Sequence, residues 1–173
     1  MTTRVLIVCM ANICRSPMAR VVAQTVANTE YPRPHGLKAL FSRQAFVFHS
    51  AGIQAPVRGE AIDARAQVAL RQRGYLPGKV RSRRVNVRDF ERFDLIVAMD
   101  QTILAELRRL CPVEHAGKLH LFLDFAPSCQ GQDVPDPYYG NPAGFERVLD
   151  LCELGAKGLL SELIAKRTRA TGT

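Results

Sequence analysis

The chain has 173 residues, 47% hydrophobic and 23% charged, and 24 Lys+Arg against 16 Asp+Glu leave a net charge of +8 with a pI near 9.7. That length suits one domain able to bury its own core, and the composition excludes a disordered chain or a collagen-like repeat. Five cysteines form an odd set without a pairing pattern, which argues against a disulfide scaffold and for a reducing, cytoplasmic compartment.

Four short aliphatic runs bounded by polar or turn residues read as buried strands, at 4–9, 45–50, 94–99 and 118–123. Helical spacing fills the stretches between and after them. A helix is predicted over 16–29, with Pro17 in its first turn and Met18, Val21, Val22 and Val26 on one side. Another spans 61–73 and stops at Gly74, and a third covers 102–110 ahead of Cys111-Pro112. The last, over 144–166, offers Phe145, Val148, Leu149, Cys152, Leu159 and Leu163 to the core, and 167–173 reads as a flexible tail. Two long connections remain, 30–44 and 126–141, and loops of that length often carry function. Alternating strand and helix over one domain predicts an α/β fold, a four-stranded parallel sheet with helices on both faces.

No stretch approaches the roughly 18 apolar residues of a membrane span. Arg4 followed by the apolar run from Val5 to Cys14 mimics a short signal peptide, but the run ends in Arg15-Ser16-Pro17 instead of a small-residue cleavage site. The N-terminus therefore reads as mature protein. The charge is localised: the window 65–92 holds nine cations against two acids, so it carries +7 of the total +8. Such a field concentrates anions, while the absence of Trp and of any aromatic-rich platform argues against nucleic acid as a partner. The four histidines, His35, His49, His115 and His120, lack ligand spacing, so no metal and no cofactor is implied.

The chemistry concentrates after the first strand. Cys9 ends an apolar run, Met10-Ala11-Asn12-Ile13-Cys14 follows, and Arg15-Ser16-Pro17 opens a helix. In doubly wound sheets ligands bind beyond the carboxyl ends of strands, and a tight loop there turns successive N–H groups inward beside a helix N-terminus. That is a phosphate-sized anion cradle built from main chain. Its amides, the helix dipole and Arg15 all favour thiolate at Cys9, a nucleophile competent toward phosphorus. Arg15 adds a planar fork for two phosphoryl oxygens, which a lysine would not. A bland alternative is that Cys9 and Cys14 are small core residues.

The run from Val8 to Pro17 closely resembles the signature loop of the low-molecular-weight protein tyrosine phosphatases. The likeness continues through Ser50-Ala51-Gly52, Ala98-Met99-Asp100 and Asp136-Pro137-Tyr138-Tyr139-Gly140, in family order. The resemblance implies the phosphotyrosine phosphatase I fold, with Rossmann-like topology, and hydrolysis of aryl phosphates through a cysteinyl-phosphate intermediate. It makes Cys9 the nucleophile, Arg15 the phosphoryl clamp and Asp136 the acid that protonates the leaving phenolate, a service worth roughly 10²–10⁴ in rate. It also places Ser16 against the Cys9 thiolate and makes Met10, Ala11, Ile13 and Cys14 part of the phosphate cradle. Asn12 would hold that loop open, as a short amide that tolerates left-handed backbone. Tyr138 and Tyr139 would wall the cleft, with core packing as their alternative. Cys14 is implied as a redox partner of Cys9, core packing again being the alternative.

Two departures matter. Ala11 stands where the family usually has Gly, which would strain the loop if that position needed positive φ. The segment 53–59 lacks the aromatic that many members lay against a phosphotyrosine ring, leaving Pro56 or Val57 as a smaller wall. The pattern is similar to the bacterial branch, which implies tyrosine-phosphorylated proteins as partners, among them tyrosine kinases of (exo)polysaccharide export. A thioredoxin-coupled arsenate reductase shares the loop but needs a closely spaced cysteine pair after the third strand, where only Cys111 follows. A non-catalytic phosphate- or nucleic-acid-binding module using the basic window is the other alternative. That window lies away from the signature loop in sequence and reads as secondary.

Overall fold

The computed structural model of the chain describes residues 2–32 and 44–172, so most of the 30–44 connection, with His35, lies outside the described residues. Strand β1 (Thr3–Cys9) runs through the centre of the sheet, fully buried from Val5 onward. It pairs in parallel with β2 (Phe46–Gly52) on one side and β3 (Leu95–Ala98) on the other, and β3 pairs with β4 (Leu119–Leu121). The order β2-β1-β3-β4 makes the carboxyl end of β1 the point where the strand order reverses. Ligands of open α/β sheets settle at such points.

Both faces are covered, as continuous apolar strands require. On one face, α1 (Arg15–Glu30) and the long α5 (Pro142–Thr171) pack together with the alternate residues Val5, Ile7 and Cys9 of β1, and α2 (Ala64–Gln72) packs on α5. On the other, α3 (Val87–Arg92) and α4 (Gln101–Leu110) bury Phe90, Ile103, Leu104 and Leu107 against Leu6 and Val8. The open edge of β2 is blunted by α1: Arg20 Nε donates to the Phe48 carbonyl at 3.1 Å, and Gln24 both accepts from the Phe48 amide and donates to the Phe46 carbonyl. Occupying these groups protects the edge from another strand.

Four differences from the sequence reading have physical causes. The fourth strand shortens to three residues because the chain coils into a 3₁₀ turn at Phe122–Phe125, which packs under α5. There a Cβ at Gly155 would collide with the Phe122 ring and one at Gly158 with the Phe125 carbonyl. The expected tail is helical to Thr171, where Gly172 in a left-handed conformation ends the helix. Residues 61–63 belong to an extended approach, with Asp63 accepting from the Arg65 amide as the cap of α2. Helix α3, unread in the basic window, is one short element held by a capping box between Asn86 and Asp89.

Candidate active site

Between β1 and α1 the chain makes a tight loop whose polarity is sorted. Two of its carbonyls are occupied: Met10 accepts from the Gln54 amide at 2.9 Å, and Ile13 accepts from the Asp63 amide at 2.8 Å. The amides of Ala11, Asn12, Ile13 and Cys14, by contrast, donate to no protein acceptor among the described residues. Successive amides without a protein acceptor, in a tight loop beside a helix N-terminus, can form a nest for an anion. The sequence-predicted cradle residues Met10, Ala11, Ile13 and Cys14 line one cavity of about 340 Å³ with Cys9 and Arg15.

One residue supplies the curvature. Asn12 has φ of 57°, the lone non-glycine positive φ among the described residues, so Ala11 carries no such strain and its extra methyl only lines the rim. Asn12 is buried and bonded at both ends of its amide: Nδ2 donates to Ser16 Oγ at 2.9 Å, and Oδ1 accepts from the Arg83 amide at 3.0 Å. Ser16 Oγ in turn lies 3.0 Å from Cys9 Sγ and 3.2 Å from the Ala51 carbonyl. Ser16 thus stands beside the Cys9 thiol, and Asn12 spans Ser16 and the Arg83 backbone. Gly52 explains the Ser50-Ala51-Gly52 run: a Cβ there would sit 2.6 Å from the Met10 carbonyl oxygen.

Arg15 is buried and forks between two acids. Its Nη1 lies 2.5 Å from Asp100 and 3.1 Å from the Val134 carbonyl, and its Nη2 lies 2.7 Å from Asp136. Burial alone would lower the guanidinium pKa, but Cys9, Asp136 and Asp100 outweigh it and hold the pKa above its ordinary value. Asp100 does two jobs, since its other oxygen caps α4 by accepting from the Ile103 amide at 2.7 Å. This explains the Ala98-Met99-Asp100 run, whose role was not assigned from sequence. The loop carrying Asp136 is stitched to the same strand end, with the Val134 amide donating to the Met99 carbonyl at 2.8 Å and Asp133 accepting from the Gln101 amide.

Tyr138 and Tyr139 are wall residues, not core: they are 44% and 96% exposed, line the cavity and meet edge-to-face at 5.0 Å. Pro56 and Glu60 also line the cavity, whereas Val57 is left to solvent at 98% exposure. Glu60 was missed from sequence because a lone glutamate in a Gly- and Pro-containing stretch gives no signal. Cys14 is buried, and that burial, with Asp63 and Cys9 nearby, pushes its thiol pKa up to about 12. Cys111 packs against the opposite sheet face from Cys9, far from forming a paired relay with it.

The basic window requires a correction. Its distance from the loop holds in sequence and not in space. Arg83 gives its amide to Asn12 and its carbonyl to the Gly52 amide, and its guanidinium pairs with buried Asp89 at 2.8 Å. Arg65 reaches the acid loop, 5.6 Å from the Tyr138 ring centroid and 4.7 Å from that of Phe145. Among the described residues no group of histidines, cysteines and acids could hold a metal ion, and no helix is long and apolar enough to cross a membrane.

The model of the low molecular weight phosphotyrosine protein phosphatase family matches residues 4–169. A low molecular weight protein-tyrosine-phosphatase of Streptomyces coelicolor is 39% identical over 164 residues, covering 93% of each chain. A Bacillus subtilis relative of the same description is 33% identical over 160 residues, covering 92% of this chain and 94% of its own. A crystal structure of a protein tyrosine phosphatase from Entamoeba histolytica, with Hepes in its active site, superposes with a TM-score of 0.85 at 32% identity, covering 96% of this chain and 99% of that one.

Proposed function

Because the chain belongs to the low molecular weight phosphotyrosine protein phosphatase family, we propose that it hydrolyses phosphotyrosine with Cys9, Arg15 and Asp136 as its catalytic residues. The observation that carries this assignment is the run of amides from Ala11 to Cys14 without protein acceptors among the described residues, in a loop that lines one cavity with Cys9 and Arg15. The phosphoryl oxygens take those amides and the Arg15 fork, displacing Asp136 from Nη2. Cys9 Sγ attacks phosphorus, the P–O bond to the phenol breaks, and the Asp136 carboxyl gives the leaving oxygen its proton. As carboxylate, Asp136 then takes a proton from water, whose oxygen attacks phosphorus. The P–S bond breaks, inorganic phosphate leaves and the Cys9 thiolate is restored.

Ser16 supports the thiolate through its 3.0 Å contact, and Asn12 keeps the loop curved around the phosphate. Met10, Ala11, Ile13 and Cys14 form the cradle, while Tyr138 and Tyr139 flank the aryl ring. A reversible disulfide between Cys9 and Cys14 is consistent with their place in one small loop. The substrate is a tyrosine-phosphorylated protein, with a bacterial tyrosine kinase of polysaccharide export as the candidate that the resemblance favours, and the setting is cytoplasmic. Cys9→Ser is expected to abolish turnover of a phosphotyrosyl peptide; turnover within tenfold of the native chain would overturn the nucleophile assignment. Capture of phosphoproteins by Asp136→Ala from a lysate, followed by their identification, tests the kinase as substrate.

A further inference from the structure

The cavity has one charged wall group that the hydrolysis does not use. Glu60 lines it together with Asp136, Tyr138 and Tyr139, and forms no ion pair among the described residues. That is unexpected in its surroundings. Arg58 is two residues away, and Arg81 lies on the neighbouring segment, yet the Arg81 guanidinium goes to the Gly59 carbonyl at 3.2 Å.

Glu60 is also held in place. Its amide donates to Ser82 Oγ at 2.8 Å, and its carbonyl accepts from the Ser82 amide at 2.8 Å. Ser82 is buried, Ala61 bridges to Arg81, and a Cβ on Gly59 would lie 2.7 Å from the Ser82 carbonyl oxygen. The two segments are in close contact, so the carboxylate projects from a fixed backbone and not from a loose loop. In the same cavity lining, Tyr139 is 96% exposed. A carboxylate and an exposed aromatic ring lining one cavity together offer a cation charge pairing and a ring face.

Building on the phosphatase reading, we infer that Glu60, with Tyr139, selects phosphotyrosine flanked in its own chain by lysine or arginine. A phosphotyrosyl ring seated on the cradle brings its sequence neighbours to the mouth, where a cationic side chain meets Glu60 and an acidic one is repelled. The basic surface around the site attracts the phosphate from a distance; Glu60 reads the residue beside it.

The test uses two phosphotyrosyl peptides identical except for lysine or glutamate on both sides of the phosphotyrosine. Phosphate release gives kcat/KM for each at low ionic strength. The ratio within one protein cancels differences in active fraction. The native chain is expected to favour the lysine peptide by about fivefold, and the preference should shrink as salt rises. Glu60→Gln should bring the ratio close to one, Glu60→Lys should invert it, and Tyr139→Ala should lower it. Equal rates on both peptides in the native chain, or a ratio unchanged in Glu60→Gln, overturns this inference and leaves the phosphatase reading standing. No release from either peptide overturns the phosphatase reading itself and the inference with it.

Discussion

At the scale of single residues, the site is a set of side chains each bonded twice. Asn12 joins the helix start to the basic segment, Ser16 joins the thiol to β2, and Asp100 joins Arg15 to the cap of α4. Such sharing makes truncation costly, since it leaves buried partners unsatisfied. Asn12→Ala should lower kcat/KM at least about tenfold, from lost bonds and from a left-handed position that alanine resists. Asn12→Gly relieves only the backbone, so an intermediate loss is expected; full activity in the glycine variant would show that the amide bonds do not matter. For Asp136→Asn, a loss of roughly 10²–10⁴ in kcat is expected with an unactivated phenol as leaving group. Para-nitrophenyl phosphate, which needs little protonation, should lose far less, and steady-state kinetics with both substrates checks this. Cys9 and Arg15 were legible because each has a chemical requirement at a recognisable spacing, whereas Asp136 was placed only by the family resemblance. Glu60 and the Arg83 amide were not, because one is a common residue in a turn and the other is backbone.

At the scale of elements, helix α2 is tied to α5 by charge. Arg73 pairs with Glu146 and Asp150 at 2.9 and 2.6 Å, and the Tyr75 hydroxyl donates to Glu153 at 3.0 Å. Burial and the Glu153 carboxylate push the Tyr75 pKa up to about 12. The neutral phenol is the form that the fold favours, so this contribution is complete below the ordinary value near 10 and disappears as pH rises through 12. Melting temperature followed against pH should fall across that window in the native chain and fall less in Tyr75→Phe; parallel curves would contradict the assignment. The amphipathic pattern of α4, the start signals of α1 and the apolar positions of α5 were readable in sequence, as were the aliphatic runs of the sheet. Helix α3 was not, because six residues rich in charge give no apolar stripe, and its stability comes from the capping box and from Asp89 gripping Arg83. The end of β4 was also hidden, since Phe122 and Leu123 look like strand but turn to meet α5.

At the scale of the whole molecule, the strand order brings together segments that are far apart in the chain. Cys9 ends β1, Gly52 ends β2, Asp100 lies just beyond β3, and the loop bearing Asp136 hangs on Met99. The basic window, which holds nearly all of the excess charge, joins them through Arg83 and Arg65. Its place beside the phosphate loop could not be read from sequence separation, which says nothing about where a crossover returns. The central claim is that this convergence makes Cys9 a nucleophile that carries the phosphoryl group during turnover. The direct measurement is rapid acid quench of Asp136→Ala during hydrolysis of an aryl phosphate with a good leaving group, followed by peptide mass mapping. Slowed breakdown should leave one phosphoryl group on the peptide containing Cys9, and none on the same peptide from Cys9→Ser. Active turnover without phosphate on Cys9 at any quench time would contradict the account.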